Sequence, residues 1–198
     1  MSEKNIKIIG LAGSPRTQSN STAVLNSVLA GATGKGAQCE LIMLAELSIS
    51  PCTHCDYCCN AGSCIFHDDM QRIYEQIKSA DAIVISSPIY FMGLCSQLKL
   101  MVDRCQVFWA YRNTTGNSLI NGGRRNRKGI FIATGARNTK SVFAGAKESI
   151  RWLFDSLDCQ FWDSILIGNC ESPGQINSMP EKLQLAYELG EKLTESYK

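Results

Sequence analysis

Residues 5–12, NIKIIGLA, form a near-continuous apolar run of the kind carried by a parallel strand buried on both faces. The pattern then changes period. Val24, Leu25, Val28, Leu29 and Ala32 recur at helical spacing. CELIML at 39–44 reads as a second strand. It is followed by a helical stripe of Met70, Ile73, Tyr74 and Ile77, with Asp68 and Gln71 spaced as a capping box before it. AIVISS at 82–87 is a third strand, and Leu94, Leu98, Met101, Val102 and Cys105 mark a third helix. GIFIAT at 129–134 and Phe143, Ala146, Ile150, Leu153 and Leu157 repeat the alternation. FWDSILI at 161–167 is a fifth strand, and Leu183, Ala186, Leu189 and Leu193 lie on a last helix starting near Pro180. Five βα units in succession predict an α/β protein with a parallel sheet covered by helices on both faces. Ligands of such sheets bind beyond the carboxyl ends of the strands, where strand order reverses, so functional residues are expected after strands one, three and four. Residues 108–128, FWAYRNTTGNSLINGGRRNRK, break the alternation and are expected to be a long loop, over the site or at a subunit contact.

The 198 residues suffice for one sizeable domain, taken here as residues 1–198, with a cysteine-rich loop at 51–67 and the long loop at 108–128. A hydrophobic share of 44% and a charged share of 19% are those of an ordinary soluble globular protein. A net charge of +2 argues against nucleic acid or a membrane surface as the main partner. No stretch is long and apolar enough to span a bilayer, and the start MSEKNIKIIGLAG lacks the n- and h-regions of a signal peptide, so a cytoplasmic location is expected.

The loop after the first strand, GSPRTQSNSTAVL at 13–25, crowds Ser14, Arg16, Thr17, Ser19, Asn20, Ser21 and Thr22 into one turn at a helix start. Backbone N–H groups and the dipole of a helix start favour anions, and hydroxyl donors would complete a cradle for one phosphate. Taken alone, the loop reads equally as a polar helix cap. No Gly-Lys-Ser/Thr follows, and Gly10 and Gly13 lack the dinucleotide spacing. After the third strand, Pro88 fixes the exit and Ile89, Tyr90, Phe91 and Met92 precede Gly93. Apolar side chains there would pack on a flat ring, and the small residues of ATGAR at 133–137 would allow close backbone approach. A phosphate cradle with two ring-contacting loops describes a mononucleotide with a flat redox-active head, and FMN fits it.

Ten cysteines are a high density for a reducing compartment, where it more often signals metal or redox chemistry than disulfides. Cys39, Cys95, Cys105, Cys159 and Cys170 stand among apolar neighbours as expected of core fillers. The other five fall in PCTHCDYCCNAGSCIFHDDM at 51–70. Cys52, Cys55, Cys58 and Cys64 give C-x2-C-x2-C-x5-C, whose opening is that of ferredoxin-type [4Fe–4S] runs. Cys59 offers a second register, C-x2-C-x3-C-x4-C. Structural zinc usually takes two separate C-x2-C pairs, and disulfides between residues three apart are strained. A cluster, a zinc ion and no metal at all remain open on spacing alone. His54 and His67 are minor alternatives as ligands.

Together GSPR…SNST, SSPIYF, LKLMVDR and the cysteine stretch ending in HDDM resemble the flavodoxin-like family of NADPH-dependent FMN reductases, in its iron–sulfur flavoprotein branch. The resemblance covers roughly residues 5–170. It implies a three-layer α/β/α flavodoxin-like fold with five parallel strands in the order 2-1-3-4-5. It implies FMN phosphate at Ser14, Arg16, Ser19, Asn20, Ser21 and Thr22. The flavin would lie against Pro88, Ile89, Tyr90, Phe91 and Gly93, with Thr134 and Gly135 closing the other edge. It implies a [4Fe–4S] cluster on the cysteine stretch, for which the first register, Cys52, Cys55, Cys58 and Cys64, is expected, with Cys59 not a ligand. Asp103 and Arg104 are expected to be a structural ion pair.

The activity so implied is flavin-dependent oxidoreduction. Electrons would pass between a carrier such as ferredoxin, or NAD(P)H, the cluster and FMN, and on to a small-molecule or protein acceptor. No catalytic side chain is expected. A homodimer or homotetramer is implied, with one subunit's cluster near a neighbour's FMN. Two rivals stand beside this reading: an NAD(P)H-dependent FMN, quinone or azo reductase whose cysteines bind nothing, and a flavodoxin-type carrier or flavin-binding regulatory protein. A pI near 8 argues against the carrier, since flavodoxins are generally acidic.

Overall fold

The computed structural model of the chain describes residues 5–120 and 126–197. Its strands are β1 (Lys7–Ala12), β2 (Gln38–Met43), β3 (Ala82–Tyr90), the two-residue β4 (Gly93–Leu94), β5 (Lys128–Thr134) and β6 (Gln160–Ile167). Its helices are α1 (Asn20–Gly34), α2 (Cys58–Ala61), α3 (Met70–Ser79), α4 (Ser96–Arg104), α5 (Gln106–Thr115), α6 (Lys140–Ser156) and α7 (Pro180–Glu195). The long strands pair in parallel in the order β2-β1-β3-β5-β6, and β4 folds back antiparallel on β3. Counting only the five long strands, this is the expected 2-1-3-4-5.

The strand runs read as nearly all apolar because both faces of the sheet are covered. Ile9, Leu11, Ile83, Ile85, Phe131 and Ala133 point into one core with Ile73 of α3, Met101 of α4, Phe108 of α5 and Ile150 of α6. The alternate residues Ile8, Ala82, Val84, Ile130 and Ile132 point into the other, with Val24, Leu25 and Val28 of α1 and Ala186 and Leu193 of α7. Among the described residues, no helix is long and apolar enough to cross a membrane.

Two local expectations are corrected. The stretch expected to be a loop from 108 begins as helix α5, which buries Val107, Phe108 and Ala110 and stops at Gly116 with φ +72°. Phe108 packs edge-on to Tyr74 at 5.8 Å. Arg112 then anchors the helix to the end of α6, donating to the Asp155 carbonyl at 2.7 Å and to the Asp155 and Asp158 carboxylates at 2.8 and 3.0 Å. Three helical turns with so many polar residues carry too narrow an apolar stripe to stand out in sequence. Residues 121–125 of the expected loop lie outside the described residues. The capping box also does not form. Asp68 accepts from the Met70 N–H at 3.1 Å, but the Gln71 amide turns to the Phe66 carbonyl at 2.6 Å. The Asp68 carboxylate is claimed by Arg104 as well.

Candidate functional site

The first candidate site is a cleft at the carboxyl edge of the sheet. Strand order reverses there between β1 and β3, so the loops leaving them diverge and open a crevice. Its walls are Ser14, Arg16, Ser19 and Asn20 after β1, Pro88, Ile89 and Tyr90 at the end of β3, and Thr134, Gly135 and Ala136 after β5. Cys170 and Glu171, after β6, complete it. Gly13 lets the first loop lie this low: a Cβ there would stand 2.8 Å from Leu98 Cβ and 3.0 Å from the Ser86 carbonyl oxygen. Ser19 caps α1 by accepting from the Thr22 N–H at 3.2 Å, and the first turn of α1 holds no acidic side chain. A helix start of this kind can take an anion.

Nine of the thirteen expected flavin-site residues thus face one cleft. The other four do not line it. Ser21 is buried beneath, sharing a 3.2 Å hydrogen bond with Ser19 Oγ, and Thr22 Oγ1 is buried without a partner among the described residues. Phe91 is fully exposed at the tip of the β3–β4 hairpin, where it and Met92 have φ of +48° and +63°. Gly93 begins β4, behind that tip. Both turn residues have positive φ, as a tight hairpin needs, although neither is Gly or Asn. Ala136 lies in the expected ATGAR loop, whereas Cys170 and Glu171 were missed because the loop after the last strand was not expected to serve the cleft. The sheet-edge rule covers that loop equally. That loop is tied to the cradle: Arg16 donates to the Glu171 carbonyl at 2.9 Å, Asn20 Nδ2 to the Ser172 carbonyl at 2.9 Å, and the Ile176 N–H to Asn20 Oδ1 at 3.1 Å.

The second candidate site lies in the segment after β2. Cys52, Cys55, Cys58 and Cys64 all line one cavity with His54 and Asp56, and Cys59 does not. Its far wall is Arg104 at the end of α4, then Gln106, Val107 and Ala110 of α5. His67 is exposed and outside it. Between the cysteines, His54 and Asp56 hold φ of +53° and +57°, a left-handed conformation costing about 1–2 kcal/mol at each such residue. These two reversals coil the chain around the cavity. Gly62, at φ +63°, ends α2 where an added Cβ would meet Leu119 and the Tyr111 ring at 3.0 and 3.1 Å. Burial first, then the neighbouring Cys59, Cys64 and Cys52 thiols, push the Cys58 thiol up to about 11.

Among the described residues, no three His, Cys, Asp or Glu side chains converge as a single metal ion requires. A zinc–sulfur bond of about 2.3 Å would bring tetrahedral thiolates roughly 3.8 Å from one another. Four cysteines line one cavity, and a buried nitrogen in its wall, Arg104 Nε, has no hydrogen-bond partner among the described residues. Cysteine thiolates are the donors that an iron–sulfur cluster takes, so the residue types present fit one. The linings of the two sites share no residue.

The expected Asp103–Arg104 pair does not form. Adjacent helical residues diverge around the axis. Asp103 pairs with Lys99 one turn back at 2.6 Å, while Arg104 turns inward to Asp68 at 2.6 Å. Burial opposes the Asp68 carboxylate's charge. Arg104 and the Ser50 and Met70 N–H groups outweigh it, and the pKa is lowered.

A parallel sheet in this order, with a hydroxyl-lined cleft at its switch point, defines a flavodoxin-like α/β protein. Residues 6–147 match the NADPH-dependent FMN reductase family, and the chain belongs to that family. It is similar to iron–sulfur flavoproteins. One from Methanocaldococcus jannaschii is 36% identical over 124 residues, 61% of this chain and 64% of that protein. One from Methanosarcina thermophila is 32% identical over 125 residues, 61% of this chain and 65% of that protein. These matches span slightly less than two thirds of the relatives' length. One from Archaeoglobus fulgidus is 24% identical over 196 residues, 97% of this chain and 80% of that protein. Among solved structures, an NAD(P)H:quinone oxidoreductase from Methanothermobacter marburgensis superposes with a TM-score of 0.72 at 19% identity, covering 96% of this chain and 98% of that one. The family resemblance and the fold expected from sequence are both borne out.

Proposed function

We propose that this protein is a flavin-dependent oxidoreductase that relays electrons between a one-electron carrier and FMN through a [4Fe–4S] cluster. The observation that carries the reading is the cysteine cavity: the four cysteines of the first register line it, Cys59 does not, and it is separate from the cleft that suits FMN. When bound, FMN exchanges two electrons as hydride or one at a time, and a cluster carries one. The chain's own residues set where each group sits. Ser14, Ser19 and the start of α1 would hold the phosphate, with Arg16 supplying a cation. Pro88, Ile89 and Tyr90 would support one side of the ring, and Thr134 and Gly135 the other. Ferredoxin or NAD(P)H is the proposed donor, and a small molecule or protein the acceptor. Ten free cysteines suit a reducing compartment, and we place the protein in the cytoplasm. The deciding measurement is the absorption spectrum of protein purified without oxygen, with iron and acid-labile sulfide analysis. Flavin bands over a broad iron–sulfur absorbance are expected. Flavin without iron or sulfide would leave a simple NAD(P)H-dependent reductase, and a colourless protein that FMN cannot reconstitute would end the flavin reading.

Self-association belongs to the same proposal, on altered grounds. Of Phe108, Trp109 and Tyr111, the aromatics that open the stretch expected to be a loop over the site or at a subunit contact, Phe108 is in the core and Tyr111 packs on Gly62, but Trp109 is 44% exposed. Trp152 of α6, 65% exposed, joins it beside His54 on one surface groove. Two exposed indoles on one face suit an apolar partner surface. A dimer or tetramer by light scattering is expected, and a monomer at micromolar concentration would refute it.

A further inference from the structure

Arg104 is, with Arg127, the largest fully buried side chain among the described residues, and it forms part of the wall of the cysteine cavity. Its guanidinium is held at both ends of the cysteine segment. Nη1 donates to the Ser50 carbonyl at 2.8 Å and to Asp68 Oδ2 at 2.6 Å, and Nη2 donates to Asp68 Oδ1 at 3.1 Å. Asp68 is itself fixed by the Ser50 and Met70 N–H groups at 3.0 and 3.1 Å. The guanidinium also stacks over Phe66, another wall residue, at 5.1 Å from the ring centroid. The planar fork is therefore locked, which fixes the direction of its two remaining N–H groups, one on Nε and one on Nη2. Of the three nitrogens, Nε is buried without any partner among the described residues. A buried unpaired N–H in a native fold calls for an acceptor that the protein itself does not supply.

We propose that Arg104 is a positioning residue of the cysteine site, whose Nε–H donates to a sulfur of the cluster held there and whose charge raises the cluster's reduction potential. The inference rests on the cluster reading. Four thiolates make such a site anionic, and reduction adds one further negative charge, so a buried cation in the wall favours the reduced form. Hydrogen bonds to cluster sulfurs act in the same direction. Cys64 lies near enough for its thiolate charge to act on Arg104. Asp68 partly offsets the cation while holding it in place. Arg104 thus closes the segment 51–67 at its two ends and sets the field inside it, which explains an arginine buried where an apolar residue would pack more simply.

The test is a spectroelectrochemical titration of anaerobically purified holoprotein, following cluster and FMN bands separately. Arg104→Gln is expected to lower the cluster's equilibrium constant for reduction about tenfold, 59 mV for one electron. Arg104→Lys, which keeps the charge but not the fork, should fall between it and the wild type. Asp68→Asn, which unmasks the cation, should raise the potential. The FMN potential should not move in any of them. An unchanged cluster potential in Arg104→Gln overturns the inference, and so does a folded Arg104→Gln that keeps FMN but assembles no cluster, which would make the arginine a structural brace only. If Arg104→Gln does not fold, Asp68→Asn decides alone, a raised potential supporting the inference and an unchanged one overturning it. A wild type without iron and sulfide would instead sink the cluster reading from which the inference starts.

Discussion

Cys58→Ala is expected to yield a folded yellow protein with FMN and without iron. Cys58 lines the cavity midway along the coiled segment and packs partly against the main core. A cubane is held by four thiolates, so losing one should take iron from about four per chain to near zero. The flavin cleft shares no residue with that cavity, so FMN content should hold. Cys59→Ala should leave both unchanged, because Cys59 is not part of the lining. Iron analysis and the visible spectrum of the two variants separate the registers. If Cys59→Ala loses the iron and Cys58→Ala keeps it, the second register is the right one. If neither variant nor the wild type holds iron, the cysteines are no cluster site.

Asn20→Ala is expected to weaken FMN binding about ten- to hundredfold. The side chain spans the cradle, bonding the Ser172 carbonyl with its nitrogen and the buried Ile176 N–H with its oxygen. Alanine orphans both groups and frees the loop that carries Cys170 and Glu171. Orphaning a buried polar group costs about 1–3 kcal/mol, and each 1.4 kcal/mol is about tenfold in affinity. Arg16→Ala removes the cleft's cation and its bond to the Glu171 carbonyl. Its loss should be about tenfold, since Arg16 is exposed and water screens its charge. Flavin fluorescence titration of each apoprotein measures the change. Wild-type affinity in Asn20→Ala would remove this loop pair from the flavin site.

The strands, the helical stripes of α1, α3, α4, α6 and α7, and the site loops after β1, β3 and β5 were legible in the chain. Each rests on a short, near-continuous apolar run, on a period of about 3.6 residues, or on a run of turn and hydroxyl residues, all of which are local. Even the start of α7 at Pro180 follows from the fixed φ of proline. The compact spacing of the five cysteines was legible for the same reason, since chain connectivity alone keeps them together.

What the chain order could not supply was the choice among partners distant in sequence. Helix α5 is stabilised by Phe108 against Tyr74 and by Arg112 against Asp155 and Asp158, contacts 34 to 46 residues apart that leave no periodic trace. Arg104 stands next to Asp103 in sequence, yet it reaches Asp68, because successive residues leave a helix in different directions. Spacing offered Cys58 and Cys59 equally. The left-handed turns at His54 and Asp56, with α2 packed through Gly62 on Tyr111, put Cys58 into the cavity lining and left Cys59 out of it. The loop after β6 joins the cleft because the parallel sheet brings that strand's end to the same edge as Asn20, over 150 residues earlier. Local pattern sets which elements form, since their hydrogen bonds close within a few residues; side-chain partners are set by packing, which only the folded chain brings together.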